Sequence, residues 1–542
     1  MKTHTKYLFI VGGVMSSLGK GILTSSIGII LKSKGYKVSI IKFDPYLNVD
    51  AGLQNPYQHG EVFVTCDGAE TDLDLGHYER FLDQNLLRSS NVTSGSVYQQ
   101  LIEKERRGEY LGDTVQVIPH LTQEIKNRII NHTKETEADI IISEIGGTIG
   151  DIEGSPFLEA IREFTNENNP EDTALIHLTY LPHLCSTGEL KTKPTQHSVA
   201  ELRRVGIKPT IIACRSDIPL EEDIRNKISL FCDVKKDFIF SVLDVKNVYD
   251  VPRMIQEEGF CNALESIWNL KTRKCDMNNW NQTISKMNSV KGDIHIGIVG
   301  KYVELGDAYL SMVEALKHAQ MPNNVKVQIH WFQSEDIHAD NVDEKLKEMH
   351  GILVPGGFGL RGIEGMILSS EYARTHAIPF FGICLGMQIA VIDFARNVLH
   401  LNEANSTEFD SQTPYPVIDL MADQKHLDKK GGTMRLGEYE CKIKKQTKAF
   451  AIYQQELIMQ RHRHRYEFNN ALMPYFENTS MKLSGFNPKR GLIEMIELTN
   501  HPFFVGCQFH PELVSRPVKP EPLFTHFVKA AFAYSKIPTK ND

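Results

Sequence analysis

No stretch of this 542-residue chain approaches the ~18 consecutive apolar residues that a membrane-spanning helix needs. Its nine cysteines include no C-x-x-C pair, and the odd count points to free thiols in a reducing compartment rather than a disulfide framework. Positive charge is not in excess: 60 Lys and Arg face 68 Asp and Glu, a formal net charge of −8. That balance argues against a general nucleic-acid binder and leaves local basic pockets open. Neither an internal repeat nor a low-complexity tract is present. The apolar opening "YLFIVGGVM" is short and runs straight into a Gly/Ser loop, so it reads as a buried strand rather than a signal-peptide core. A cytoplasmic protein, with no membrane partner, is expected.

The chain is too long for a single core, and 41% hydrophobic with 24% charged residues is ordinary for soluble globular proteins. Short β-branched runs recur between helix-like segments: "YLFIV" (7–11), "KVSIIKF" (37–43), "ADIIISE" (138–144), "TALIHLTYL" (173–181), "TIIAC" (210–214) and "DFIFSVL" (237–243). Such spacing predicts a parallel sheet covered on both faces. A second series follows, from "IHIGIVG" (294–300) through "GILVPGG" (351–357) and "PFFGICLG" (379–386) to "FFVGCQFH" (503–510). The segment between is polar, without a strong apolar period. The expectation is therefore two doubly wound α/β domains, 1–270 and 293–542, joined by a linker over 271–292.

The stretch "VGGVMSSLGKGI" (11–22) resembles a phosphate-binding loop with two departures. Five residues, not four, separate Gly13 from Gly19, and Gly21 follows Lys20 where a hydroxyl is usual. Glycines let backbone N–H groups turn inward, a helix N-terminus adds its positive dipole end, and Lys20 would reach terminal phosphates. A plain strand-to-helix turn with a solvated lysine is the alternative. Without a Ser/Thr, metal ligands must come from elsewhere. Candidates are the acidic stretch "DGAETDLDLGHYERF" (67–81), with Asp67, Glu70, Asp72, Asp74 and Glu79, and Glu144 at a strand's C-terminal end. "GELKTKPTQHS" (188–198) offers Lys191 and Lys193 to a second anion, or is a solvated basic turn.

In "GICLG" (382–386), small residues flank Cys384 between a strand and a helix, the cysteine form of a nucleophile elbow. "QFHPE" (508–512) supplies His510 as base and Glu512 as its orienter. The glycines of "LVPGGFG" (353–359) and the N–H of Leu385 can serve an oxyanion, so the second domain reads as a thiol amidase. "RHRHRYEFN" (461–469) is open between a nucleic-acid patch, a solvated basic face and an anion contact within a cleft.

A phosphate loop joined to a thiol amidase suggests glutamine-dependent amidation. The blocks "GGVMSSLGKG", "FDPYLNVDAG", "HGEVFVTCDGAETDLDLGHYERF", "EIGGTIGDIE", "KTKPTQHS", "PGGFGLRGIEGM", "GICLGMQ", "ANSTEF", "GGTMRLG", "RHRHRYE" and "QFHPE" resemble, in order, the motifs of the CTP synthase family, over about residues 5 to 530. The resemblance implies ATP-dependent amination of UTP to CTP through a 4-phosphoryl intermediate, with ammonia released from L-glutamine and delivered through a closed passage. It implies a homotetramer, activation by GTP and feedback inhibition by CTP. ATP contacts fall by resemblance on Ser17, Leu18, Gly19, Lys20, Gly21, Ile22 and Asp74, with Lys42 beside them, and Mg²⁺ on Asp74 and Glu144. UTP or CTP falls on Ser16, Asp151, Ile152, Glu153, Lys191, Thr192, Lys193, Pro194, Thr195, Gln196 and Lys227. Glutamine falls on Gly357, Leu385, Gly386, Met387, Gln388, Glu408 and Arg465, with Cys384, His510 and Glu512 as the triad. Arg361, Gly362 and Glu364 resemble a lid near the GTP site. Two rivals are disfavoured: a cobyric-acid-type amidotransferase by "KTKPTQHS" and "RHRHRYE", and a non-catalytic assembly protein on the same fold by the presence of Cys384, His510, Lys20 and Glu144.

Overall fold

The computed structural model describes residues 4–186, 188–421, 424 and 433–537. Apart from Met421 and Gln424, the segment "MADQKHLDKKGG" (421–432), expected to be loop-like, lies outside the described residues, as do the first two glycines of "GGTMRLG". The chain divides into two compact units, 1–51 with 74–284 and 52–73 with 285–542.

In the first unit the strands pair in parallel in the order 239–243, 211–216, 173–180, 6–12, 140–145, 38–44 and 91–93. Strand Val38–Asp44 is buried along its whole length, as a sheet covered on both faces requires. From strand Lys6–Gly12 the chain moves to one side of the sheet, and it later returns to place Thr173–Tyr180 on the other. Residues 13–19 therefore emerge at a switch point, on the carboxyl edge where open α/β sheets bind ligands. Register matters there: Glu144 lies between Ile10 and Lys42 on the neighbouring strands. In-register neighbours project from one face, so Lys42 and Glu144 must meet.

The second unit carries a mixed sheet. Strands 326–333, 293–300, 351–354, 380–383 and 504–507 run parallel, and 493–498, 481–486, 435–443 and 457–464 extend the sheet antiparallel. Alternation sends Phe380 and Phe381 into different apolar clusters, one holding Val354 and Met387, the other Leu353 and Phe527. A short hairpin, Phe63–Val64 with Glu70–Thr71, packs with this unit although the surrounding sequence feeds the first.

Within 271–292 lies helix Asn278–Asn288. Met277, Trp280, Ile284 and Met287 recur at helical spacing and are buried, a period that the polar residues between them mask. Among the described residues no helix is long and apolar enough to cross a membrane.

Candidate active sites

The opening loop ends at Gly19, in a left-handed conformation at φ 87°, and helix Lys20–Ser33 begins immediately. Lys20 folds back so that its Nζ donates to the Gly147 carbonyl at 2.7 Å. Gly21 has a direct physical reason: a Cβ there would collide with Asp74 Oδ1. The space a hydroxyl-bearing side chain would occupy after the lysine is given instead to a carboxylate.

That carboxylate belongs to a buried charge cluster. Lys42 Nζ bonds closely to Asp74 Oδ2, lies 3.1 Å from Glu144 Oε1 and 3.8 Å from Asp44 Oδ1. Tyr78 donates to the other Glu144 oxygen at 2.6 Å. Burial alone would discharge Lys42, but Asp74 and Glu144 outweigh it and hold its ammonium well above the ordinary range. Burial also opposes ionisation of Asp74, and Lys42 with His77 overcomes it. Lys20 is shifted down, chiefly by burial, against the pull of Glu144. Asp74 is the member of the acidic stretch found at this cluster. Asp67 accepts from Thr65, Glu79 accepts from the Leu86 N–H, and Glu70 pairs with Arg463 in the second unit. Among the described residues no three His, Cys, Asp or Glu converge as a metal cage.

The remaining residues expected in this unit lie in loops and first helical turns that follow its strands, except Lys227, which is within helix Glu222–Cys232. Ser16 and Ser17 are exposed and Leu18 is buried; Ile22 lies in the first helical turn. Asp151 accepts from the N–H and hydroxyl of Thr148, both at 2.7 Å, while Ile152 and Glu153 are exposed. Thr192 caps helix Lys193–Arg204, with Pro194 at its start; Gln196 donates to the Thr192 hydroxyl at 3.0 Å and Thr195 meets Thr179. Lys191 pairs with Glu189 at 2.5 Å, and the hydrogen bond from Lys191 holds that carboxyl below its usual range, with Lys227 adding to the effect. Lys193 is exposed. A cavity of about 210 Å³ adjoins the loop, lined by Leu18, Gly19, Ile22, Arg215, Asp244 and Val245. The last three gave no signal in the sequence, because isolated residues at or just after the end of a strand form no local pattern.

The second site is built on a strained turn. Cys384 sits at φ 52° between strand Phe380–Ile383 and helix Leu385–Asn397, and is buried. Both flanking glycines are needed: a Cβ on Gly382 would strike the Gly386 backbone, and one on Gly386 would strike Val354 O. Leu385 opens the helix, whose first N–H groups have no partner within it. His510 Nδ1 lies 2.7 Å from Glu512 Oε1. Burial opposes protonation of the imidazole, but Glu512 and the Cys384 sulfur outweigh it and lift His510 to about 10. Cys384, His510, Glu512, Gly356 and Gly357 line one cavity of about 310 Å³.

Around them, Gln508 Nε2 approaches the Cys384 sulfur at 3.6 Å, and Gln388 donates to Gln508 at 3.3 Å and to Tyr466 O at 2.9 Å. Glu408 accepts from the Gly359 N–H at 2.7 Å. Gly386 and Met387 are buried in the first helical turn. Arg465 is directed to Gln424 and Thr433, at 2.6 and 2.8 Å. "RHRHR" is not a solvated basic face: Arg461, His462 and His464 are buried on strand Leu457–His464. Arg461 O accepts from the His510 N–H at 2.7 Å, so this strand positions the imidazole. Arg463 pairs with Glu70 at 2.8 Å and lines the thiol cavity.

Two family profiles match the chain: CTP synthase N-terminus over residues 6–270 and glutamine amidotransferase class-I over 304–530. The CTP synthase of Clostridium acetobutylicum is 55% identical over 527 residues, covering 97% of this chain and 98% of that protein. That of Bacillus velezensis is 53% identical over 527 residues, with the same coverage of each chain. The chain belongs to the CTP synthase family. A solved glutaminase domain of Trypanosoma brucei CTPS with bound acivicin is 35% identical, covering 44% of this chain and 94% of that one at a TM-score of 0.42. The family's two α/β domains, synthetase and amidotransferase, are those described above.

Proposed function

We propose that this chain converts UTP to CTP at the expense of ATP, taking nitrogen from L-glutamine, and that the residues assembled above carry the two half-reactions. The observation that carries the reading is the thiol elbow: Cys384, His510 and Glu512 line one cavity in a family whose relatives are named for CTP synthesis.

The C4 oxygen of uracil is a poor leaving group. Transfer of the ATP γ-phosphoryl onto it gives a 4-phosphoryl intermediate from which phosphate departs when ammonia attacks. Catalysis here is positioning and charge neutralisation. Backbone N–H groups of 17–22 and the Lys20 ammonium receive the phosphates, and Lys42 supplies a second buried positive charge. Asp74 and Glu144 present hard oxygen donors around a cation, the Lys42 ammonium, and so fit Mg²⁺, which needs only one or two carboxylates when phosphate supplies further oxygens. When bound there, Mg²⁺ screens the phosphate charge. Arg215, Asp244 and Val245 shape the cavity for the remainder of ATP. Ser16, Asp151 to Glu153, Lys191 to Gln196 and Lys227 receive UTP or inhibitory CTP. GTP activation, with Arg361, Gly362 and Glu364 in its lid, and a homotetramer belong to the same reading.

In the second unit the Cys384 sulfur attacks the carboxamide carbon of glutamine. The N–H groups of Gly357 and Leu385 take up the oxyanion charge, and His510 gives its proton to the departing nitrogen. Ammonia leaves with its lone pair, and water cleaves the glutamyl thioester with His510 as base. Glu408, Gln388 and Arg465 orient the substrate.

The test follows CTP formation by absorbance with UTP, ATP, Mg²⁺ and GTP, comparing glutamine with ammonium chloride. CTP from both sources is expected. CTP from ammonia alone would remove the amidase assignment, and none from either would overturn the reading.

A further inference from the structure

The loop after strand Gly351–Val354 carries one of the two oxyanion N–H groups, that of Gly357, yet four of its seven residues from 356 to 362 are glycine and residues 358–361 are exposed. Such a segment has many conformations to lose, and something must choose one. Its neighbour Lys301 is among the largest fully buried side chains of the protein. The Lys301 Nζ donates to the Phe358 carbonyl at 3.1 Å and closely to the Gly359 carbonyl. Neither partner is a carboxylate, an unusual use of a buried ammonium. Across the same peptide group, the Gly359 N–H donates to Glu408 Oε1 at 2.7 Å.

These contacts hold one peptide plane at both ends. In a trans peptide the C=O of Phe358 and the N–H of Gly359 point in opposite directions. The cation takes the oxygen and the anion takes the N–H. A flip would aim the carbonyl at Glu408 and the N–H at Lys301, repulsive at both ends. The adjoining glycines are bracketed too: a Cβ on Gly357 would lie 3.3 Å from Leu385 Cδ2 and 3.5 Å from Lys301 Cδ. One on Gly356 would lie 2.8 Å from His510 Cε1 and 3.7 Å from Cys384 Cβ. Lys301 is itself anchored, its N–H donating to the Tyr309 hydroxyl at 3.2 Å and its carbonyl accepting from Tyr57 at 2.9 Å and Arg361 at 2.5 Å.

We infer that Lys301 is a positioning residue for glutamine hydrolysis: with Glu408 it clamps the Phe358–Gly359 peptide and so keeps Gly356 and Gly357 in place beside Cys384. The inference rests on the thiol reading above and extends it to a residue outside the lining of the thiol cavity. Burial draws the Lys301 amine down to about 8 against the pull of Glu408, with Arg361 and Glu335 the other charges acting on it. The cation is thus kept against a desolvation penalty that an apolar side chain would not incur.

The test uses the full chain with Lys301→Met, Lys301→Arg and Cys384→Ala. In Lys301→Met, kcat for glutamine hydrolysis falls about 100-fold, as for a misplaced oxyanion donor, with KM changed less than about threefold. Lys301→Arg, which keeps a cation with several donors, brings kcat to within about tenfold of the parent. CTP formation from ammonia reports the integrity of the rest of the protein. Unchanged kcat in Lys301→Met, an equal loss with ammonia, a loss confined to KM, or an arginine variant no better than methionine would each overturn the clamp. Hydrolysis persisting in Cys384→Ala would sink the thiol reading itself. Its loss there beside full activity in Lys301→Met would sink the clamp alone.

Discussion

At both glycine-rich turns a strand hands over to a helix, and each holds non-glycine backbone at positive φ: Val14 at 77° and Ser17 at 58° in the first, Cys384 at 52° in the second. The two turns are otherwise built on different principles. In the first, charge does the organising: Lys42 is wrapped by Asp74, Glu144 and Asp44, and Gly21 exists to let Asp74 approach. In the second, backbone shape does it: Gly382 and Gly386 make room for the turn, and one carboxylate, Glu512, orients the imidazole beside the sulfur. On the proposed function, a site that receives polyanions needs mutually compensated charges that a ligand can rearrange. A site that forms a covalent bond needs one atom fixed in place.

That contrast breaks most completely at Lys20. Lys20→Ala removes its cation from the phosphate site, so CTP formation from glutamine and from ammonia should both be lost, read in the same absorbance assay. Cys384→Ala should abolish synthesis from glutamine while ammonia still drives it; glutamine-driven synthesis surviving there would refute the nucleophile. Gly21→Ala sharpens the charge half of the comparison. Its methyl displaces Asp74, and about a 10- to 100-fold loss of ATP-dependent turnover is expected from a misplacement near 1 Å. Full activity in that variant would mean that Asp74 can move away freely.

The smallest effect is electrostatic. Glu512 raises His510, so Glu512→Gln should lower the transition attributed to that imidazole by about one to two units, read from the pH dependence of Cys384 alkylation by iodoacetamide. The sign for stability follows from the same shift. With its folded value raised to about 10, the protonated His510 contributes stability that is complete below about 6.5 and is lost as pH rises through about 10. The stability difference between parent and Glu512→Gln should therefore be greatest near pH 6, where the carboxylate is ionised and the imidazole protonated, and close toward pH 10, measured by urea unfolding across pH.

Much of the second site was legible because its signal is local. Small residues about Cys384 and a strand before it specify a turn within a few positions, and the neighbourhood of His510 and Glu512 needs only their own segment. The first site was legible only in part. Nothing local distinguishes Asp74 from Asp67, Glu70 or Glu79; the choice depends on which carboxylate the fold brings to Lys42. Lys301, Arg215 and Asp244 gave no signal, being single residues at or just after the ends of strands. "RHRHR" gave a misleading one, since five basic and imidazole residues in a row suggest a surface, whereas the strand is paired on one side at the edge of a sheet and its side chains find buried partners.

From sequence alone came the parallel strands, the two glycine-rich strand-to-helix turns and the family's order of motifs, since periodicity and turn chemistry are properties of neighbouring residues. Only the tertiary structure decided that residues 52–73 pack with the second unit, that Asp74 fills the space beside Gly21, and that Lys301 and Glu408 grip one peptide from opposite ends. Those are choices among chemically similar partners far apart in the chain, and burial and geometry, rather than residue type, make them.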